Sequence, residues 1–318
     1  MGDRGRVLIT GIAGQDGSYL AERLIGEGRE VHGLVPAHDM AAARTAPALA
    51  GCVLHAADLA DPAAVADVVA AASPDELYHL GGISSVDESW RDPVRAMKVN
   101  GVGTAALLEA AWTTRPQLHA VVASSAEIFA GSATSPQDER TPVAPRSPYG
   151  ATKALVHHLA AVYRERGMFV SSCVLYNHES PRRPDTFVTR RITRGVAAIA
   201  AGTASRLTLG NLDSRRDWGW APDYVDAMVR AAHHDVATDF VIGTGEAHSV
   251  AEFAAAAFRY AGIPDWTHHV RSDASRTRPH DAAELRADAG KARAELGWAP
   301  TLTFEAIVAA MTESDMRR

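Results

Sequence analysis

Tyr149 and Lys153 stand four residues apart in the phrase SPYGATK. On a helix that spacing puts both side chains on one face, where they act on a single small volume. A phenol can serve as a general acid or base, and a compact ammonium beside it can lower its pKa and hydrogen-bond a ribose. The chain has seven Tyr, but its lysines are only Lys98, Lys153 and Lys291, because arginine carries nearly all the positive charge. The pairing is therefore informative. Upstream, VVASSAEIFAG reads as a short apolar strand that delivers Ser125 and Glu127 to the carboxyl edge of a sheet. Phenol, ammonium, hydroxyl and carboxylate together make a proton-handling set. The plain alternative is an exposed helix with a packed tyrosine.

Such a set needs a sheet to hold it. RVLIT, Arg6 to Thr10, is an apolar run that stops at glycine, as a buried parallel strand does. Glycines follow at 11, 14 and 17, ahead of an amphipathic helix and a second strand at Glu30–Val35. Glycine permits the tight turn and lets backbone amides approach a pyrophosphate at the helix N-terminus. Gly11, Gly14, Gln15, Asp16 and Gly17 are thus candidate cofactor contacts. The second strand should end on an acid for NAD or near arginines for NADP, but VHGLVPAHDM has neither at the expected place. His38, Asp39 and Arg44 are the groups available, so these residues leave the choice open.

A strand at Gly51–His55 precedes Asp58 and Leu59, a helix lies within Ala63–Ala72, and a strand at Glu76–Leu80 ends in LGGISSV. Asp58 can reach an adenine, Leu80 and Gly81 are candidate cofactor contacts where a plain Gly-Gly turn is the alternative, and Ser84 is a candidate substrate contact. A long helix from Pro93 to about Trp112 leads into the strand bearing Ser125. Strand and helix alternate throughout, which predicts an α/β fold, a Rossmann-type doubly wound parallel sheet. Gly131–Pro148 reads as an ordered surface loop.

Beyond Tyr176 the character changes. Arginines crowd YNHESPRRPDTFVTRRITR, then LGNLDSRRDWG, then SRTRPHDAAEL. Their planar forks suit phosphate oxygens, and three separated clusters suit a diphosphate under a folded-over lobe; a solvated charged face is the alternative. Ser249 and Glu252 make a helix capping box. The division expected is a cofactor-binding domain over 1–175 with parts of about 212–245, and a smaller C-terminal substrate-binding lobe over 176–211 and 246–318.

The net charge of −6 and pI near 6.2 argue against nucleic-acid or membrane-surface partners. No apolar run is long enough to span a bilayer and no secretory leader opens the sequence, so a cytoplasmic location is expected. Cys52 and Cys173 each sit in an apolar strand-like run, as core thiols. The His-His pairs at 157, 233 and 268 have no further ligand at useful spacing, and no metal is expected.

These stretches resemble the extended short-chain dehydrogenase/reductases, and within them the GDP-mannose 4,6-dehydratases, over nearly the whole chain. GQDGSYLAE, NHESPRR, FVTRRITR, LGNLDSRRDWG and LGWAP carry the resemblance. It implies a nicotinamide cofactor, a nucleotide-linked hexose, and a catalytic set of Ser125, Glu127, Tyr149 and Lys153. Substrate contacts are implied at Asn177, Arg191, Arg216 and Arg278. The implied chemistry is oxidation at C4, loss of water across C5 and C6, and return of the hydride to C6.

Departures from the family bear on the details. VPAHDMAAARTAPAL is short and nearly uncharged where the family has a basic segment serving NADP and a tetramer interface. The preference is therefore for NAD over NADP, and for a homodimer through the long helices. Ile83 stands where the family has Gln, Phe129 where it has Tyr, and Ser125 where it has Thr. Two other functions remain compatible: a nucleotide-sugar 4-epimerase, which needs no base at C5, and a non-catalytic NAD(P)-binding sensor.

Overall fold

The computed structural model describes residues 5–273 and 282–317. In chain order the strands are β1 (Arg6–Thr10), β2 (Glu30–Val35), β3 (Val53–Ala56), β4 (Glu76–His79), β5 (His119–Ser125), β6 (Phe169–Leu175) and β7 (Asn177–Glu179). They continue as β8 (Leu207–Leu209), β9 (Arg215–Trp220), β10 (Asp239–Ile242), β11 (Ala247–Ser249), β12 (Val270–Ser272) and β13 (Glu284–Leu285). The helices of the first half are α1 (Gln15–Gly26), α2 (Met40–Thr45), α3 (Pro62–Ala72), α4 (Val86–Arg91), α5 (Pro93–Ala96) and α6 (Gly103–Thr114). Those of the second half are α7 (Pro148–Glu165), α8 (Val188–Ala200), α9 (Ala221–Ala232), α10 (Val250–Tyr260), α11 (Gly290–Leu296) and α12 (Phe304–Met316).

A seven-stranded parallel sheet runs in the order β10-β6-β5-β4-β1-β2-β3. Its strands read as near-continuous apolar runs because helices cover both faces. Alternate residues feed two cores. Val7, Ile9, Val121 and Ala123 pack with Leu20 and Leu24 of α1 and with Val225 and Met228 of α9. Leu8, Leu77, Ala120 and Val122 pack with α3, α6 and α7 through Val65, Leu107, Val156 and Ala160. This is the expected Rossmann-type doubly wound sheet. Its order reverses between β1 and β4, where a crevice opens at the carboxyl ends of the strands.

A smaller layer follows. β9 pairs with β11, β13 and β7, and β12 pairs with β8. Ile192 and Val196 of α8, Trp218 of β9, Phe253 and Phe258 of α10, and Ile307 and Met311 of α12 form its own core. The capping box of α10 is present, with Ser249 accepting from the Glu252 N–H and Glu252 from the Ser249 N–H. Residues 290–298 differ from the expected grouping. Ala292, Leu296 and Trp298 pack in the core of the large sheet, and the Trp298 indole donates to the Asp223 carbonyl at 2.7 Å.

The segment expected as one long helix from Pro93 is a composite. α4 stops at Asp92, whose carboxylate caps α5, and a wider π turn over Met97–Val102 joins α5 to α6. No helix among the described residues is long and apolar enough to cross a membrane.

Candidate active site

Every predicted site residue that falls among the described ones lines one cleft of about 880 Å³, reaching from the glycine turn to the small sheet. Arg278 lies outside the described residues. At the turn, Gly11 has φ +70°, and a Cβ there would stand 2.7 Å from the Gly81 nitrogen. A Cβ on Gly17 would stand 2.3 Å from the Gly11 carbonyl oxygen. These contacts seat the loop on the turn after β4. α1 begins at Gln15 with no side-chain cap, so its first-turn amides remain for an anion. Leu59, Leu80, His38, Asp39 and Asp58 continue the lining, and Asp58 accepts the Ala60 N–H at 2.9 Å. A bare helix N-terminus beside a glycine wall fits a dinucleotide.

Behind the wall, Thr10 Oγ1 accepts the Gly81 N–H at 2.9 Å and meets His79 Nδ1 at 2.7 Å; His79 Nε2 meets Thr104 Oγ1 at 2.7 Å. Burial pulls the His79 pKa to about 3, helped by the charge of Lys153. The ring is a neutral strut.

The reacting groups come from two elements pressed together. β5 ends at Ser125, and a 3₁₀ turn over Ala126–Phe129 carries Glu127, whose N–H donates to Ser125 Oγ at 3.3 Å. α7 starts at Pro148 and is capped by Ser147, which accepts the Gly150 N–H at 3.0 Å. Tyr149 and Lys153, both buried, occupy its first turns. The Tyr149 N–H donates to Ser89 Oγ at 3.0 Å, and its side chain hydrogen-bonds that of Ser125.

Burial pushes the Tyr149 phenol up to about 12; the Ser125 hydrogen bond and Arg183 pull it down, while Glu127 and Asp16 push it up. Burial pulls Lys153 down to about 8, with Asp16 opposing. Lys153 Nζ donates to the Ala123 carbonyl at 2.7 Å and lies 6.0 Å from the Tyr149 ring centroid.

Ser84, Asn177, Arg191 and Arg216 also line the cleft. Asn177 heads β7, beside β9, where Arg216 donates to the Arg215 and Ala282 carbonyls at 2.8 and 2.9 Å. The first arginine cluster divides its work. Arg183 and Arg191 line the cleft, whereas Arg182, Arg190 and Arg194 pair with Glu22, Asp315 and Asp185.

A family profile described as GDP-mannose 4,6 dehydratase matches residues 8–311. The chain belongs to the GDP-mannose 4,6-dehydratase family. It is 40% identical to GDP-mannose 4,6 dehydratase 2 of Arabidopsis thaliana, over 97% of this chain and 86% of that one. It is 38% identical to the Homo sapiens GDP-mannose 4,6 dehydratase, over 98% and 92%. Among solved structures it superposes on the UDP-glucose 4-epimerase of Thermus thermophilus in complex with NAD, with a TM-score of 0.83 at 26% identity, covering 98% of both chains. The chain is an NAD(P)-dependent nucleotide-sugar 4,6-dehydratase.

Three residues of this GDP-mannose 4,6-dehydratase family member escaped the sequence reading. Arg183 stacks on Phe187 at 3.7 Å, with its Nε 3.3 Å from Glu179; its place in an Arg-Arg doublet was the available signal. Asn100 accepts the Ile83 N–H at 2.8 Å and donates to the Ile83 carbonyl and to Thr152 Oγ1 at 2.9 and 3.0 Å. It ties the glycine wall to α7, while Ser89 ties α4 to α7 through the Tyr149 N–H, and no local pattern marks either. Of the family departures, Ile83 lines the cleft, while Phe129 is buried in the core. Among the described residues no group of three or more His, Cys, Asp or Glu could hold a metal.

Proposed function

We propose that this enzyme converts GDP-mannose to its 4-keto-6-deoxy derivative, with NAD as cofactor. The observation that carries the reading is that Tyr149 and Glu127 border the same cleft, from a helix and a turn in direct contact. One base is thereby available for the C4 hydroxyl and a second for the C5 hydrogen. A bound nicotinamide would be held by Gly11, Gly14, Gln15, Asp16, Gly17, Asp58, Leu59, Leu80 and Gly81, and would supply a hydride acceptor for C4 and donor for C6.

With a cationic nicotinamide bound beside it, Tyr149 would act as phenolate and take the C4 hydroxyl proton, while Ser125 orients the C4 oxygen. Lys153 would hold the ribose of the bound cofactor. The C4 ketone acidifies the C5 hydrogen, which Glu127 removes; the same carboxyl then protonates the departing C6 hydroxyl. Water leaves, the return of hydride to C6 is matched by a proton at C5 that balances the one Tyr149 took, and no net redox occurs. Arg191 and Arg216, with Asn177, Ser84 and Arg278, hold the nucleotide diphosphate and sugar.

Preference for NAD rests on the cleft beyond β2, lined by Pro36, His38, Asp39, Ala42, Ala43 and Ala46; Arg44 is not among the lining residues. A carboxylate there disfavours an added phosphate. The homodimer reading rests on an apolar face across α4 to α7, where Trp90, Val94, Met97, Val102, Leu155 and Val162 are exposed. Residues 1–175 with parts of 212–245 form the cofactor domain in this reading, and 176–211 and 246–318, apart from α11, the substrate lobe. Cys52 and Cys173 are free thiols, which suits the cytoplasm.

The test is mass analysis of products from a panel of nucleotide sugars. GDP-mannose should lose one water without net change in the cofactor. An unchanged mass with an altered sugar would make the enzyme a 4-epimerase, and no turnover with any member would make it a sensor.

A further inference from the structure

The first two turns of α1 do more than face the cleft. Gln15 Nε2 donates to the His178 carbonyl at 3.0 Å, and Gln15 Oε1 accepts from Ser180 Oγ at 2.8 Å. Asp16 Oδ2 meets His178 Nε2 at 2.8 Å. Arg182 lies over the Tyr19 ring at 3.9 Å, donates to Ser18 Oγ at 3.0 Å, and binds both Glu22 carboxylate oxygens at 2.8 Å. One helix face thus grips the segment 178–182 from a sequence distance of 163 residues.

The chemistry at His178 is constrained on both sides. Nδ1 faces the Tyr176 carbonyl at 2.7 Å and Nε2 faces a carboxylate, and both partners only accept. Both ring nitrogens therefore donate, and the ring is an imidazolium, stacked on Tyr224 at 4.4 Å. The other charges around it are Arg183, which opposes the cation, and Glu179, on which it acts. Burial works against the charge, but Asp16 outweighs it and the pKa is raised.

Gln15, Asp16, Arg183 and Arg191 line one cleft; with the assignments made under Proposed function, α1 serves the cofactor and the gripped segment runs on to the arginines that serve the substrate. We propose that the grip couples the sites: His178 and Arg182 are positioning residues through which a dinucleotide on the glycine turn orders the segment that receives the nucleotide diphosphate. The inference rests on the site assignments under Proposed function. A ligand that fixes α1 removes freedom from the segment bonded to it, so the second ligand loses less on binding. Reciprocity then requires the second ligand to tighten the first by the same factor.

The experiment measures GDP binding by calorimetry to full-length protein, stripped of cofactor or saturated with NADH, and NADH binding with and without GDP. In the parent each ligand should tighten the other by about tenfold; in Arg182→Ala the factor should fall below about twofold, with each separate affinity within about threefold of the parent and Arg182→Lys intermediate. His178→Gln should also lose coupling. A parent that binds both ligands without coupling overturns this inference alone, as does Arg182→Ala with parental coupling. A parent that binds neither ligand overturns the site assignments, and the inference with them. A second readout needs no variant: amide exchange over residues 178–191 should slow when NADH is added, and unchanged exchange contradicts the coupling.

Discussion

A Cβ at Gly150 would stand 2.8 Å from the Glu127 carbonyl oxygen, so the helix bearing Tyr149 and Lys153 rests directly on the turn bearing Glu127. The bare Cα sets the separation of the two proposed bases. Gly150→Ala should push them apart, destabilising the protein by about 1–3 kcal/mol through overpacking. Turnover should fall roughly 100-fold, since an ångström of misplacement has that cost. Thermal unfolding and product formation check both, and cofactor content should stay unchanged.

Burial pulls Lys153 down to about 8 from 10.5. Between those values the unfolded chain holds a proton that the folded, cofactor-free protein has released, so stability rises with pH across that window. Below about 8 the buried ammonium is a burden on the order of 3 kcal/mol. Lys153→Met should therefore raise the unfolding temperature at pH 7, and the difference should shrink as pH climbs from 8 towards 10.5. Activity should be lost at every pH, because the proposed ribose contact is gone.

With His38 and Asp39 lining the cleft beyond β2, NADH should bind at least about tenfold more tightly than NADPH, a difference of about 1.4 kcal/mol. Asp39→Asn should narrow the gap by relieving repulsion of the extra phosphate. Titration by the fluorescence of the reduced nicotinamide reads both values, and salt should narrow the gap further.

Much of the catalytic arrangement was legible because it follows local rules. The apolar runs, the glycine turn and the Tyr149–Lys153 spacing each depend on neighbours within a few residues. What escaped depends on distant partners. Charge type marks Arg182 and Arg191 alike, yet one grips Tyr19 and Glu22 while the other lines the cleft. The Lys153 ammonium donates to the Ala123 carbonyl, thirty positions away, a partner that the helix spacing does not encode. The π turn holding Asn100 fits the Ile83 backbone and Thr152, which no helical periodicity encodes.

The apolar face over α4 to α7 should pair two copies of the chain. Light scattering should give a dimer for the parent, and Val162→Glu or Val94→Glu, both at exposed positions, should shift it to monomer without loss of helical content. A monomeric parent would contradict the pairing.

The central claim is that a sugar ketone forms first and Glu127 then exploits its acidity. Its most direct test is Glu127→Gln mixed with GDP-mannose in deuterated water, following nicotinamide absorbance and sugar mass together. The account predicts a reduced cofactor, no deuterium at C5 and no loss of water, with turnover down by about 10²–10⁴-fold. Tyr149→Phe should fail earlier, with the cofactor still oxidised. A Glu127→Gln enzyme that releases the dehydrated sugar at the parental rate would contradict it.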